Sequence, residues 1–211
     1  MMNRIQIFAL ATIALVGVGC SSGTASTTAT ASAEPSATAV ASIGAPAPAF
    51  SLTDQTGKRV SLADYSGKIV VLEWINPDCP FVQRHARLKT MDTLARKYEN
   101  AGVVWLGINS TNYMNDASNA KWIAANSLPY PVLDDHTGEV GHAYGARTTP
   151  NMYVIDAKGR LVYEGAIDND PGGEAGGSVN YVDVALTELL AGKPVTTAQT
   201  KPYGCSVKYA N

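Results

Sequence analysis

Two nearly uninterrupted β-prone runs, Ile69–Trp74 and Val103–Ile108, constrain the fold of this 211-residue chain more than any other feature. Neither alternates between apolar and polar residues, so each predicts a strand buried on both faces, with covering layers above and below the sheet. Between them the pattern reads as helix from Pro80 to about Asn100. Proline suits the first helical position, where its missing N–H costs nothing. Val82, Leu88, Met91, Leu94, Ala95 and Tyr98 keep roughly helical spacing, and Gly102 stops the run. Upstream, Phe50–Thr53 and Arg59–Leu62 flank the polar turn Asp54–Gly57 and predict a β-hairpin. Downstream, a polar stretch at Asn109–Asn119 leads to a helix around Ala120–Asn126, then strands at Pro131–Leu133 and Asn151–Asp156. Leu161–Gly165 pairs back after the turn Ala157–Arg160, and Asp168–Ser178 is a glycine-rich loop. A last amphipathic helix, Val182–Leu190, ends at Gly192 and Pro194. The class expected is α/β, with a mixed central β-sheet flanked by helices and an N-terminal β-hairpin.

The N-terminus reads differently. Residues 1–19 carry one charge, Arg4, followed by the apolar run Ile5–Val18. At about 14 residues that run is short for a bilayer span but suits a signal peptide. It ends at Gly17-Val18-Gly19-Cys20, similar to a bacterial lipobox with Cys20 as the lipidated residue, although Gly17 stands where leucine is usual. Secretory cleavage without a lipid is the alternative. Residues 20–46 are almost wholly Ser, Thr, Ala, Gly and Pro, with nothing large to bury, and are expected to form a disordered tether. The folded domain is then 47–211. The tether also helps explain why only 16% of residues are charged, against about 25% in a typical soluble protein. A net charge of −2 supplies no basic field for nucleic acid. Three cysteines can build neither a disulfide scaffold nor a four-thiolate zinc site.

Chemistry concentrates at Glu73-Trp74-Ile75-Asn76-Pro77-Asp78-Cys79-Pro80. Cys79 falls where a buried strand gives way to a helix N-terminus, whose unpaired N–H groups and positive dipole end favour thiolate over thiol. A thiolate near neutral pH is a nucleophile. Asp78 opposes this if ionised, and a buried cysteine packing as a small apolar side chain is the plain alternative.

These residues resemble the thioredoxin-like superfamily, and within it the redoxin branch of alkyl hydroperoxide reductase/thiol-specific antioxidant and TlpA-like proteins, over essentially all of 47–211. Cys79 stands at the family's attacking cysteine. Thr148-Thr149-Pro150, followed by Asn151–Asp156, resembles its cis-proline loop and strand, which implies that Pro150 packs against the reactive cysteine and that the peptide before it binds substrate. Thr148, Thr149, Pro80 and Arg147 are the substrate-contacting residues so implied. Arg147 is a candidate cation near the thiolate or simply a solvated arginine. Glu73 matches the family's buried acid. In an apolar strand its pKa should rise, leaving it either a proton shuttle or a satisfied structural carboxylate.

The departures matter as well. Val82 replaces the second cysteine of Cys-x-x-Cys. Asn76 and Leu72 replace the Thr/Ser and Pro of the peroxiredoxin signature, which weakens a peroxide pocket. The family precedent of C-terminal resolving cysteines points to Cys205, and a Cys79–Cys205 disulfide is expected, within one chain or across a dimer, catalytic or structural. His85 is expected to point away from the first helical turn, and the Asp134-Asp135 pair to face solvent. Trp74, Trp105 and Trp122 read as packing residues. A copper-chaperone likeness fails at Gln83, where the second cysteine would be, and no metal or other cofactor is expected.

Three functions stay open. The first is an envelope-tethered thiol–disulfide oxidoreductase, its partners a disulfide-containing protein and an envelope thiol reductant. The second is a redoxin-type thiol peroxidase acting on hydroperoxides. The third is a non-enzymatic binding module stapled by Cys79–Cys205. Membrane attachment would run through Cys20 alone.

Overall fold

A computed structural model describes residues 40–174 and 178–210. The expected signal peptide, Cys20 and most of the tether lie outside the described residues. Those that are described form β1 (Ser51–Asp54), β2 (Arg59–Ser61), β3 (Val70–Trp74), α1 (Pro80–Arg87), α2 (Thr90–Glu99), β4 (Val104–Asn109), α3 (Asp116–Asn126), β5 (Val132–Asp134), α4 (Glu139–Tyr144), β6 (Thr148–Thr149), β7 (Asn151–Ile155), β8 (Leu161–Gly165), α5 (Tyr181–Leu190) and β9 (Cys205–Ser206). Seven strands make one mixed sheet in the order β2-β1-β5-β4-β3-β7-β8. β3, β4 and β5 run parallel, while β1 and β7–β8 join antiparallel.

The central strands are buried on both faces, as their unbroken apolar runs require. Along β3, Leu72 and Trp74 face one side, where they meet Leu106, Ile108, Tyr144 and Tyr153. Val71 faces the other, under the side chains of α2 and α5: Met91, Leu94, Tyr98, Val182 and Leu186. Trp74 sits in an aromatic group with Tyr144 and Tyr153, at ring separations of 5.3 and 4.9 Å. Two covered faces and a parallel centre leave the C-terminal end of β3 as the place where a loop can present chemistry.

Several expectations need correction. The ordered chain begins before residue 47: Ala41 N–H donates to Ala143 O at 2.9 Å, Gly44 N–H to Leu161 O at 2.7 Å, and Ile43 packs on the core. Small side chains permit this close backbone approach, so the last residues of the expected tether belong to the domain. The single helix 80–100 is two helices, broken at Lys89, whose φ of 56° is left-handed. Leu88, counted as a core position, is 64% exposed at that break. α3 starts at Asp116 rather than Ala120 because Asn115 caps it, its side chain accepting from Ser118 N–H. α4, unforeseen, explains Asp135, which is buried and not in solvent. Its carboxylate accepts N–H bonds from Val140 and Gly141 (3.1 and 2.8 Å) at the start of α4, and the Ser110 hydroxyl also donates to it.

Candidate active site

Cys79 is the N-cap of α1, reached through a turn shaped by Asn76. The Asn76 carbonyl accepts Cys79 N–H at 2.9 Å and its side chain accepts Asp78 N–H at 2.8 Å. Asn76 therefore builds the loop instead of supplying a hydroxyl. Pro80 occupies the first helical position and is exposed. Asp78 is exposed, where water screens its opposition to a thiolate. The sulfur itself is buried, with Cys79 1% exposed among Ile75, Val82 and Val132.

Across from it the Thr149–Pro150 peptide bond is cis. Cys79 Sγ–H donates to Thr149 O at 3.0 Å. The Thr149 hydroxyl is buried without a hydrogen-bond partner and lies close enough to the sulfur to favour its ionised form. Thr148 contributes backbone, its hydroxyl turning to Pro150 O at 3.0 Å. Arg147 also contributes backbone, accepting Val207 N–H at 3.1 Å. Its side chain is exposed and lines a surface cavity with Ile43, His142, Glu164 and Tyr209, which fits the solvated arginine of the two alternatives and not the cation beside the thiolate.

The chain's tail completes the site. β9 pairs antiparallel with β6, with Thr149 opposite Cys205 and Thr148 opposite Ser206. The tail backbone thus lies along the peptide preceding the cis-proline. Gly204 makes this possible: its φ is +132°, and a Cβ there would lie 2.1 Å from Thr149 O. Past the pair, Tyr209 fills a slot over Gly138 and Gly141, stacks on His142 at 4.0 Å and donates to Ala146 O at 2.7 Å.

Both thiols are free, so the structure holds the dithiol, which must lose two electrons and two protons to become the expected bridge. The two sulfurs differ sharply. For Cys79, burial pushes the pKa up, but the Cys205 thiol, the Thr149 side chain and the N–H groups of Val82 and Cys205 outweigh it, and the net direction is down. For Cys205, burial, its hydrogen bond to Cys79 and that neighbour's charge raise the pKa to about 11. The surroundings therefore favour the charged form at Cys79 and the protonated form at Cys205.

Glu73 lies in β3, the strand that leads to Cys79. Burial raises its pKa to about 7, partly offset by hydrogen bonds from Trp105 Nε1 (3.1 Å) and the Tyr130 hydroxyl (2.9 Å). Its bonding partners are these two side chains and not Cys79, as a structural carboxylate requires. The native state keeps a proton here that the unfolded chain releases near pH 4.5, so stability is lost as pH rises from there to about 7. Glu73→Gln is expected to flatten stability between pH 5 and 7 and to add about 3 kcal/mol at pH 8. Urea unfolding at both pH values checks this, and an unchanged pH profile would refute it.

Of the residues singled out in the sequence, the structure brings Cys79, Thr149, Pro150 and Cys205 together, with Glu73 on the strand leading to them. Sequence reasoning missed that His85 is buried beneath the tail and bonded to it, 3.0 Å from the Tyr203 hydroxyl. Among the described residues no three His, Cys, Asp or Glu side chains converge as a metal-ligand set, and no helix is long and apolar enough to cross a membrane.

The fold is thioredoxin-like, as expected. A solved structure of an uncharacterized conserved protein from Geobacillus kaustophilus superposes with a TM-score of 0.74 at 32% identity, covering 82% of this chain and 95% of that one. The thiol-disulfide oxidoreductase ResA of Bacillus thuringiensis subsp. konkukian (strain 97-27) is 30% identical over 117 residues, 56% of this chain and 65% of ResA. Chloroplastic peroxiredoxin Q of Suaeda salsa is 34% identical over 127 residues, 55% of this chain and 56% of that protein. The chain thus spans less than two thirds of the length of these curated relatives. The AhpC/TSA family model matches residues 43–164, from the first packed residues through most of β8. That match takes in more than half of the sequence together with Cys79 and Pro150, and the chain belongs to the AhpC/TSA family.

Proposed function

We propose that the protein is a thiol–disulfide oxidoreductase in which Cys79 attacks and Cys205 resolves. One observation carries this: the β6–β9 pairing sets Cys205 opposite Thr149, whose carbonyl lies 3.0 Å from Cys79 Sγ, so two free thiols meet at the N-cap of α1. The Cys79 thiolate attacks a substrate disulfide, forms a mixed disulfide and expels one substrate thiolate. Cys205 then gives up its proton and attacks the Cys79 sulfur, expelling the second. The substrate has gained two electrons and the protein holds a Cys79–Cys205 bridge. An external thiol restores the dithiol. It attacks the half-buried Cys205 sulfur, because Cys79 is both less accessible and the better leaving group. A second thiol of the reductant then releases Cys205. The ResA likeness supports disulfide-containing proteins as substrates and a thiol protein as donor.

The finer setting belongs to the same proposal: export through residues 1–19, a lipid on Cys20, and a tether that holds the domain off an envelope membrane. Peroxide is the second reading, favoured by the peroxiredoxin Q likeness and by the unpartnered Thr149 hydroxyl near the sulfur. In it the Cys79 thiolate attacks the terminal peroxide oxygen, the O–O bond breaks and water or an alcohol leaves, and the resulting sulfenic acid is condensed by Cys205 to the bridge with loss of a second molecule, water. A peroxide rate at Cys79 no faster than that of free cysteine would remove it.

Titrating thiols through graded reduction, with mass mapping, tests the main reading. A Cys79–Cys205 bridge within one chain is expected to open above about −300 mV with the fold intact. A bridge that resists until the domain unfolds would make it a staple and overturn the proposal.

A further inference from the structure

Cys205 is brought to Cys79 by a tail whose own ladder is only two residues long, too short to hold a strand by itself. What holds it on the α1 side is a set of side chains that the exchange chemistry does not use. Tyr203, two residues before Cys205, lays its ring against Phe81, with centroids 5.9 Å apart, and Arg84 Cζ lies 5.8 Å from that ring's centroid. Its hydroxyl donates to Asp168 Oδ1 at 2.5 Å, and His85 Nε2 lies 3.0 Å from that hydroxyl's own oxygen. His85 is 3% and Asp168 8% exposed.

The phenol proton goes to Asp168, so the phenol oxygen is left to accept, and two donors face it: His85 Nε2 and Arg84 Nη2, which lies 3.4 Å from the phenol oxygen and 3.3 Å from Nε2. The other ring nitrogen, Nδ1, pairs with the Thr90 hydroxyl at 3.2 Å in either tautomer. The imidazole is neutral in both, in keeping with burial, which lowers its pKa. The Arg84 guanidinium, 3.4 Å from the phenol oxygen through Nη2, also donates to Pro171 O and Asp170 O. A single phenol therefore ties together the tail, the 168–171 loop and α1, the helix that begins at Cys79.

The docked tail has two opposite effects on the thiol it covers. It keeps Cys205 next to Cys79 at high effective concentration, which speeds the second exchange step. It also buries the Cys79 sulfur and occupies the β6 edge, which slows the first.

We propose that Tyr203 is a latch. Docked on His85 and Asp168, it positions Cys205 for resolution; released, it opens Cys79 and the β6 edge to an incoming disulfide. This rests on the exchange reading above, and Tyr203 acts in it as a positioning residue that does not touch the reacting sulfurs.

The test is a single turnover with 4,4′-dithiodipyridine on the reduced chain, followed by stopped-flow absorbance. Cys79 thiolate attacks the reagent and releases one pyridine-4-thione. Cys205 thiol then attacks the Cys79 sulfur and releases the second, leaving the protein bridge; the reagent has taken up two electrons and the two thiol protons. Tyr203→Phe keeps the ring and removes the hydroxyl, and is expected to speed the first release and slow the second, each by roughly tenfold. Asp168→Asn is expected to move both rates in the same senses. Lys201→Ala, in an exposed part of the tail, should leave both unchanged. General destabilisation does not drive the two steps in opposite directions. Unchanged rates in Tyr203→Phe and Asp168→Asn, or two rates shifted the same way, would overturn the latch. Cys205→Ser separates this from the underlying reading: it should keep the first release and lose the second. If it loses neither, intramolecular exchange itself fails, and the latch with it.

Discussion

Cys79→Ser is expected to lower disulfide-reducing turnover by on the order of 10³-fold or more. A serine hydroxyl at the N-cap of α1 would sit in the same buried place, but the surroundings that bring a thiol toward ionisation cannot do so for an alcohol. The partner variant should behave differently. Cys205→Ser also stops turnover, yet it keeps the attacking sulfur and should accumulate a mixed disulfide at Cys79, visible as a mass adduct that a small thiol removes. The asymmetry follows from placement: Cys79 is fixed at the N-cap of α1, whereas Cys205 sits on a tail held by a two-residue pairing. Steady-state assay with intact-mass analysis checks both. Activity in Cys79→Ser equal to the unaltered chain, or an adduct mapped to Cys205 instead of Cys79, would refute the assignment of roles.

Gly204→Ala carries the second large effect. The Cβ it adds would lie 2.1 Å from Thr149 O, 2.7 Å from Thr149 C and 3.3 Å from Pro150 N, all backbone atoms that cannot swing aside. The φ of +132° adds strain of its own. The tail must leave, and Cys205 goes with it. Oriented intramolecular groups reach effective concentrations far above the millimolar range of a loose linker, so bridge formation after Cys79 is oxidised should slow by at least about 10²-fold. The seven-stranded sheet does not include β9, so far-UV circular dichroism should be retained. Bridge formation at the original rate would mean that the tail reaches Cys79 by another path.

The parts of the protein that were legible beforehand are those fixed by short-range pattern. Ile69–Trp74 announces a doubly covered strand because burial on both faces leaves no room for polar alternation, and β3 is that strand. Pro80 after Cys79 announces a helix start because it tolerates few other helical positions, and Cys79 is the N-cap. The elements that misled had a local signal pointing elsewhere. Leu88 kept helical spacing, yet it marks the break between α1 and α2. Asp135 reads as a solvated turn residue, yet it caps α4 from inside.

The sequence alone determined the α/β class and the place of Cys79 between a buried strand and a helix start, since each depends on a few consecutive residues with strong backbone preferences; the opposition of Cys79 to Thr149–Pro150 was implied by the resemblance to the redoxin branch and by no local pattern. Only the tertiary structure decided what stands opposite Cys79. β9 is a two-residue pairing with no periodicity to read, made possible by a glycine that fits against Thr149 O and by Tyr203 and Tyr209 seated on distant parts of the chain. The surroundings of the two thiols were set there as well, because a thiol's pKa depends on burial and on hydrogen bonds from residues far away in sequence.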